Sequence, residues 1–490
     1  MRDNKTSYRS IFKATSLFGG LQVYQILIQI IKAKIIAVLL GPAGVGIIGL
    51  FQSGLDMVKN LTSMGLASSA VRDVSEANAT NDYQRISNTL SVVKRLAWIT
   101  GIIGVVVVII ASPLLSKSLF GNYDYTIPFI LLSIILLFDQ ISAGQRVVLQ
   151  GLRRLKYLAR CSAVGYTLGL IASVPFYYWM GIKGIVPTLI LTSICSLLVS
   201  WWYSRKVKIK TKKIPTKESF VQGRQMLVMG ISMSLSGIFT TLAAYVTRGY
   251  IQSIGGVEEV GLYHAGSVIM TTYVGLIMNA IATDYYPRLA SINKDDEQCR
   301  MAVCQQGEIG IMILAPLLVL CLVFMSFVLR ILYSNDFLAA NLYITWASLG
   351  MALRFASWII SFLFVAKADS KLFIINELSG CVYSVIFNIL GYNIWGLQGL
   401  GIAFALSYFV YFIQVYLISH KRYGFNFSRE FIKCYGVHLL LIAGVLVLVL
   451  LTDGAIKYTL GIIFIVISIC LGARGLNQRL DFISVFKQKF

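Results

Sequence analysis

Charged side chains are scarce in this 490-residue chain: Asp, Glu, Lys and Arg together make up 13% of it, where an ordinary soluble domain carries about 25%. Acidic residues are the scarcest, 21 against 43 Lys and Arg, which leaves a net charge of +22. The three histidines, at 264, 420 and 438, are too scattered to suggest a metal site, and no cofactor is expected. No G-x-x-x-x-G-K-[ST] run occurs, which excludes ATP hydrolysis on a P-loop. No nucleophile has a plausible base beside it, so an enzyme is not expected. Gly44, Gly46 and Gly49 do spell G-x-G-x-x-G, but they join two apolar runs with no strand before them, and they read as a tight turn rather than a nucleotide site. The eight cysteines fall in apolar runs or in loops on one side, with no paired outer positions, and read as small core residues.

Apolar residues are abundant: 57% of the chain, with a mean hydropathy of +0.75. Runs such as 101–115 and 439–451 carry no charge and, with their flanks, are long enough to cross a bilayer. The pattern predicts about fourteen spans of roughly 20 residues each. They do not alternate apolar and polar at period two, so a bundle of helices is expected rather than a barrel. The start, MRDNKTSYRS, runs into an apolar stretch too long for a secretory signal.

The basic excess invites a nucleic-acid reading until its placement is considered. Most Lys and Arg fall in the loops on the side of the N-terminus, the densest run being RKVKIKTKKIPTK at 205–217. Only Lys117, Lys183, Arg330 and Lys457 fall in the loops of the other side. The positive-inside rule accounts for this asymmetry. It places both termini in the cytoplasm, makes the lipid bilayer the partner and leaves nucleic acid unnecessary.

The chain also repeats itself 215 residues further along. GPAGVG (41–46) meets GVEEVG (256–261), GIKGI (181–185) meets GLQGL (396–400), Tyr177 meets Tyr392 and Lys156 meets Lys371, all without a gap. Six spans per repeat is an even number, so the repeats are parallel, an arrangement that secondary transporters use to place a site between halves. The expected organisation is a six-helix repeat over 1–204, a basic cytoplasmic linker over 205–224, a second six-helix repeat over 225–420, and two additional helices with a basic amphipathic tail over 421–490.

An ionised side chain at mid-bilayer costs about 2.5–3.5 kcal/mol on insertion scales, so such groups face protein or a wet cavity. Here polar groups form stripes at helical spacing. These are Gln22, Gln25, Gln29 and Lys32; Gln52, Asp56, Lys59 and Ser63; Asp139, Ser142, Arg146 and Gln150; Thr241, Tyr245, Arg248 and Gln252; and Arg354, Ser357 and Ser361. Two readings stand. The groups pair among themselves, as Asp56 with Lys59 or Asp139 with Arg146 along one face, or they line an aqueous cleft. Lys32, Arg248 and Arg354 have no partner on their own helix and fit the second. The balance of Lys32, Lys34, Lys59, Arg146, Arg248 and Arg354 over Asp56 and Asp139, with Asp284 and Glu377 near span ends, is positive, which suits an anion and above all a diphosphate.

The stretches 33–53, 145–159, 181–190 and, most specifically, 248–292 resemble the Wzx-type polysaccharide flippases of the multidrug/oligosaccharidyl-lipid/polysaccharide (MOP) exporter superfamily. The resemblance covers roughly residues 10–420. It implies a MOP/MATE-like fold in the bacterial inner membrane and flipping of an undecaprenyl-diphosphate-linked oligosaccharide, such as an O-antigen unit for lipopolysaccharide, alongside polysaccharide polymerase and chain-length machinery. Arg146 and Arg248 lie within matching motifs, and the resemblance makes them cavity cations. Asp56, Asp139 and Asp284 are the candidates for ion coupling or gating. The alternative is a MATE-like cation-coupled drug or metabolite antiporter, which would use Asp56 and Asp139 as its cation site. A membrane polymerase or ligase fits less well, because the outer loops are all short.

Overall fold

The computed structural model describes the backbone of residues 2–79, 82–152, 154–207 and 216–480, and within these the side chains other than those of 2–23, 79, 155, 216–222, 225, 229, 232–233, 280, 283–284, 287 and 480. Among the described residues every regular element is helical. The helices are α1 (Arg2–Thr62), α2 (Leu66–Ala79), α3 (Tyr83–Phe120), α4 (Thr126–Leu132), α5 (Ile134–Gly151), α6 (Leu155–Met180), α7 (Ile185–Arg205), α8 (Thr216–Val268), α9 (Gly275–Ser291), α10 (Asp296–Leu332), α11 (Asn341–Ala366), α12 (Ser370–Tyr423), α13 (Arg429–Leu451) and α14 (Gly454–Leu480). Ten stretches of the described residues are long and apolar enough to cross a membrane, fewer than the fourteen spans expected. The difference lies in continuity, because several stretches hold two helical limbs joined through a bend rather than a loop.

The bends sit at glycines. α1 breaks at Gly41 (φ 63°, ψ −169°), just before Pro42, and α8 at Gly256 (φ 76°, ψ −176°). Gly181 (φ 54°, ψ −131°) ends α6, and Gly396 (φ 56°, ψ −135°) breaks α12. Positive φ is a conformation that only glycine adopts readily. Gly41 and Gly256, and likewise Gly181 and Gly396, stand at the offset of the sequence repeat, and within each pair the dihedrals agree closely.

The chain gathers into two compact units, Met1–Val260 and Gly261–Phe490. In the first, Leu66, Ala70, Val74 and Ala77 line one face of α2 and pack on Ile86, Leu90, Val93 and Leu96 of α3, with Val147 of α5 completing the cluster. Asp82 caps α3 by accepting the N–H groups of Gln84 and Arg85. A second cluster, Phe51, Phe120, Tyr125 and Phe129, ties α1 to the ends of α3 and α4. This unit takes in residues 226–252, which the sequence assigns to the second repeat. The backbones come close there: a Cβ on Gly230 would stand 2.2 Å from the Met64 carbonyl oxygen, and, just beyond this stretch, one on Gly46 would stand 2.0 Å from that of Val257.

In the second unit α11 packs along α12, and α10 packs against α11, α13 and α14. Asp295 caps α10, its carboxylate accepting the Gln298 N–H at 3.0 Å, which holds that carboxyl below its usual range. α14 is fastened to α10 by an ion pair, Arg479 to Glu308 at 2.6 Å. Elsewhere it exposes Ile456, Ile462, Ile463, Val466 and Ile469, a surface suited to lipid.

Candidate functional site

In the first unit the polar stripes of α1, α5 and α8 meet one another and α7. Lys59 of α1 donates to Asp139 Oδ2 of α5 at 2.6 Å, and Asp139 Oδ1 accepts Ser193 Oγ of α7 at 3.0 Å. One carboxylate therefore joins three helices. The same-helix pairings left open by the sequence are replaced by cross-helix ones: Lys59 turns to Asp139 rather than Asp56, and Arg146 donates to Ser196 of α7 at 3.3 Å rather than to Asp139. Asp56 is exposed and lies within electrostatic reach of Lys59, Arg248 and Asp139.

Arg248 of α8 reaches back to α1, its Nη1 donating to the Gly49 carbonyl at 3.3 Å and to Ser53 Oγ at 3.2 Å. The rest of its stripe also bonds. The Tyr245 hydroxyl meets Ser118, Thr241 accepts from Asn60 at 3.3 Å, and Gln252 donates to the Phe120 carbonyl at 2.9 Å. Lys32, on the first limb of α1, is half-buried and has no anionic partner among the described residues. Gln29 and Gln52 are exposed and Gln25 is half-buried. Gln22 and Asp284 lie outside the residues whose side chains are described.

These contacts refine the electrostatic expectation. Around Asp56 and Asp139 the cations Lys59 and Arg248 balance the two acids, and Lys32 and Arg146 stand outside that balance.

The second unit holds Arg354 on α11, its guanidinium 5.5 Å from the Tyr408 ring of α12 and within electrostatic reach of Glu377. Glu377 accepts the Tyr411 hydroxyl at 3.0 Å. Beside it Gln414 donates to Asn376 Oδ1 at 2.6 Å and to Ser379 Oγ at 2.7 Å, while its Oε1 accepts from Tyr383. This network joins both limbs of α12, and the sequence reading did not single it out. Its signal was present: Asn376, Ser379 and Tyr383 step by three and four, and Tyr411 and Gln414 by three, the spacing that marked the other stripes.

Comparison with known proteins places this arrangement in context. The family model described as polysaccharide biosynthesis protein matches residues 11–293. The Lipid III flippase of Escherichia coli (strain K12) is 22% identical over 423 residues, covering 84% of this chain and 100% of that protein, and the Lipid III flippase of Shigella flexneri matches equally. Among solved structures, an inward-facing multidrug resistance MATE family transporter of the MOP superfamily gives a TM-score of 0.70 at 16% identity, over 82% of this chain and 94% of that one. The lipid II flippase MurJ in an inward closed conformation gives 0.61 at 17% identity, over 89% and 97%. The all-helical fold is shared with these transporters.

Proposed function

Because the chain belongs to the polysaccharide biosynthesis protein family, we propose that it moves an undecaprenyl-diphosphate-linked oligosaccharide, of the O-antigen kind, across the bacterial inner membrane by alternating access. The observation that carries this reading is the set of cations, Lys32, Arg146, Arg248 and Arg354, set among polar helix faces in a MOP-type fold. Lys32 and Arg146, which pair with no carboxylate among the described residues, are the groups most available to a diphosphate. Gln25, Gln29 and Gln52 offer amides to sugar hydroxyls. The likeness to Lipid III flippase along that protein's whole length supports a lipid-linked cargo over a soluble one.

The topology proposed with it has fourteen crossings. Counting both limbs at each of the four glycine bends turns ten stretches into fourteen, arranged as two six-crossing repeats over 1–204 and 225–420, with the last pair outside and both termini cytoplasmic. The matched dihedrals of Gly41 with Gly256 and of Gly181 with Gly396 support the duplication. The polyprenyl tail stays in lipid while alternating access carries the head group across. Cation-coupled antiport would need a free acid. Of the two candidates Asp139 is tied to Lys59, which leaves Asp56 among the described residues.

The test is complementation of a strain lacking the gene by Lys32→Gln and Arg146→Gln variants. Loss of surface polysaccharide, with the variant protein present in the membrane at normal level, is the expected result; normal polysaccharide from the double variant contradicts the cationic site.

A further inference from the structure

Away from this polar cluster, and sharing no residue with its ion pairs, the first unit carries a groove of about 930 Å³ between α3, α5 and α7. It exists because small residues bring two helices together. A Cβ on Gly144 of α5 would meet the Ala97 Cβ of α3 at 3.1 Å, so the backbones approach closely while larger neighbours stand off on either side. The lining is mostly apolar, with Trp98, Phe138, Ile141, Leu197, Leu198 and Trp201. Trp98, Leu198 and Trp201 are 42%, 56% and 45% exposed, on a surface that faces lipid if these helices cross the membrane.

One end of the groove is cationic. Lys94 and Arg205 line it: Arg205 is the last residue of α7, and Lys94 stands just before the apolar run of α3 that begins at Leu96. Arg205 is held over the Trp201 ring at 4.4 Å, and the adjacent Lys206 lies 3.7 Å from the Trp202 ring. Indoles beside cations are the composition of a membrane–water interface. Gln145 also lines the groove. Its Oε1 accepts from Ser200, which leaves its amide N–H groups to donate to an ester or phosphate oxygen.

An apolar channel of this kind ending in two cations is complementary to an acyl chain with an anionic head. We propose that the groove binds one anionic phospholipid of the surrounding leaflet, with an acyl chain along Phe138, Ile141 and Leu197 and its phosphate at Lys94 and Arg205. Basic pockets between membrane helices recognise anionic head groups in this way. The lipid would be a structural ligand of the first unit, distinct from the cargo, and the proposal stands whether or not the chain is a flippase.

Native mass spectrometry of the purified full-length protein, titrated with dioleoylphosphatidylglycerol or dioleoylphosphatidylcholine, tests this. One phosphatidylglycerol should bind more tightly than phosphatidylcholine. The Lys94→Gln/Arg205→Gln variant should weaken it about thirtyfold, on the basis of two cations near a membrane surface. Leu198→Trp, at an exposed position, should weaken both lipids by narrowing the channel, with an unchanged melting temperature in lipid-free detergent. Equal binding of the two lipids, or wild-type binding by both variants, overturns the proposal. So does one-for-one displacement of phosphatidylglycerol by undecaprenyl phosphate at equal concentration, because the groove would then take a polyprenyl chain.

Discussion

Asp139 carries the residue-scale argument, since its two oxygens serve Lys59 and Ser193 on two other helices. Removing one member of such a pair strands a partly buried charge, whereas removing both leaves none. Asp139→Ala should therefore destabilise the protein by about 1–2 kcal/mol, with the exposure of both side chains discounted. The Asp139→Ala/Lys59→Met double variant should recover part of that loss, and thermal melting in detergent measures both. A double variant as unstable as the sum of the single ones would mean that the pair contributes no coupling. The sequence revealed which residues share a helix face, because spacing fixes that. It did not reveal partners across helices, because a partner depends on the packing of segments 80 positions apart. For the same reason Lys59 looked like a ligand-binding cation and proved to be committed to Asp139, whereas Lys32, chosen by identical logic, has no acid opposite it among the described residues.

At the scale of elements the glycine bends separate two causes of strain. Gly41 has open space around its absent Cβ but a φ of +63°, so Gly41→Ala should cost about 1–2 kcal/mol through backbone conformation alone. Gly46 has ordinary helical geometry, but its Cβ would stand 2.0 Å from a carbonyl oxygen. Gly46→Ala should thus force α1 and α8 apart, at about 1–3 kcal/mol. Denaturant titration of the two variants compares them, and a neutral Gly46→Ala would contradict the close approach. These glycines were visible in the sequence as repeated landmarks. That they join limbs within continuous stretches was not, because hydropathy registers an apolar run and not its direction. α14 makes a further case. Its apolar stretch up to residue 473 suggests only lipid contact, yet Arg479, in the basic segment that follows, clamps the helix to Glu308 of α10. Glu308→Gln should speed amide hydrogen exchange in the last turns of α14 and leave α11 unchanged; equal protection in both helices would mean that the clamp contributes nothing.

For the whole molecule, composition and charge placement were enough to establish a polytopic helical membrane protein, because both properties are summed over the chain and survive local errors. Net charge was a poorer guide to the site. The +22 excess resides mainly in loops, while the cluster around Asp56 and Asp139 balances two acids with two cations. The proposed diphosphate contacts of the first unit consequently narrow to Lys32 and Arg146. Replacing Arg354 with Gln should cut transport without unfolding the protein, because the side chain contacts a tyrosine ring and a methionine sulfur rather than a buried ion pair.

A leaflet assay tests whether this chain carries a lipid-linked oligosaccharide across the membrane. Undecaprenyl-diphosphate-linked oligosaccharide would be labelled in spheroplasts of a strain lacking the gene, and its accessibility to a membrane-impermeant probe measured. The account predicts accumulation on the cytoplasmic face, relieved by the wild-type gene and not by the Lys32→Gln/Arg146→Gln variant. Normal exposure on the outer face in the absence of the protein would contradict it.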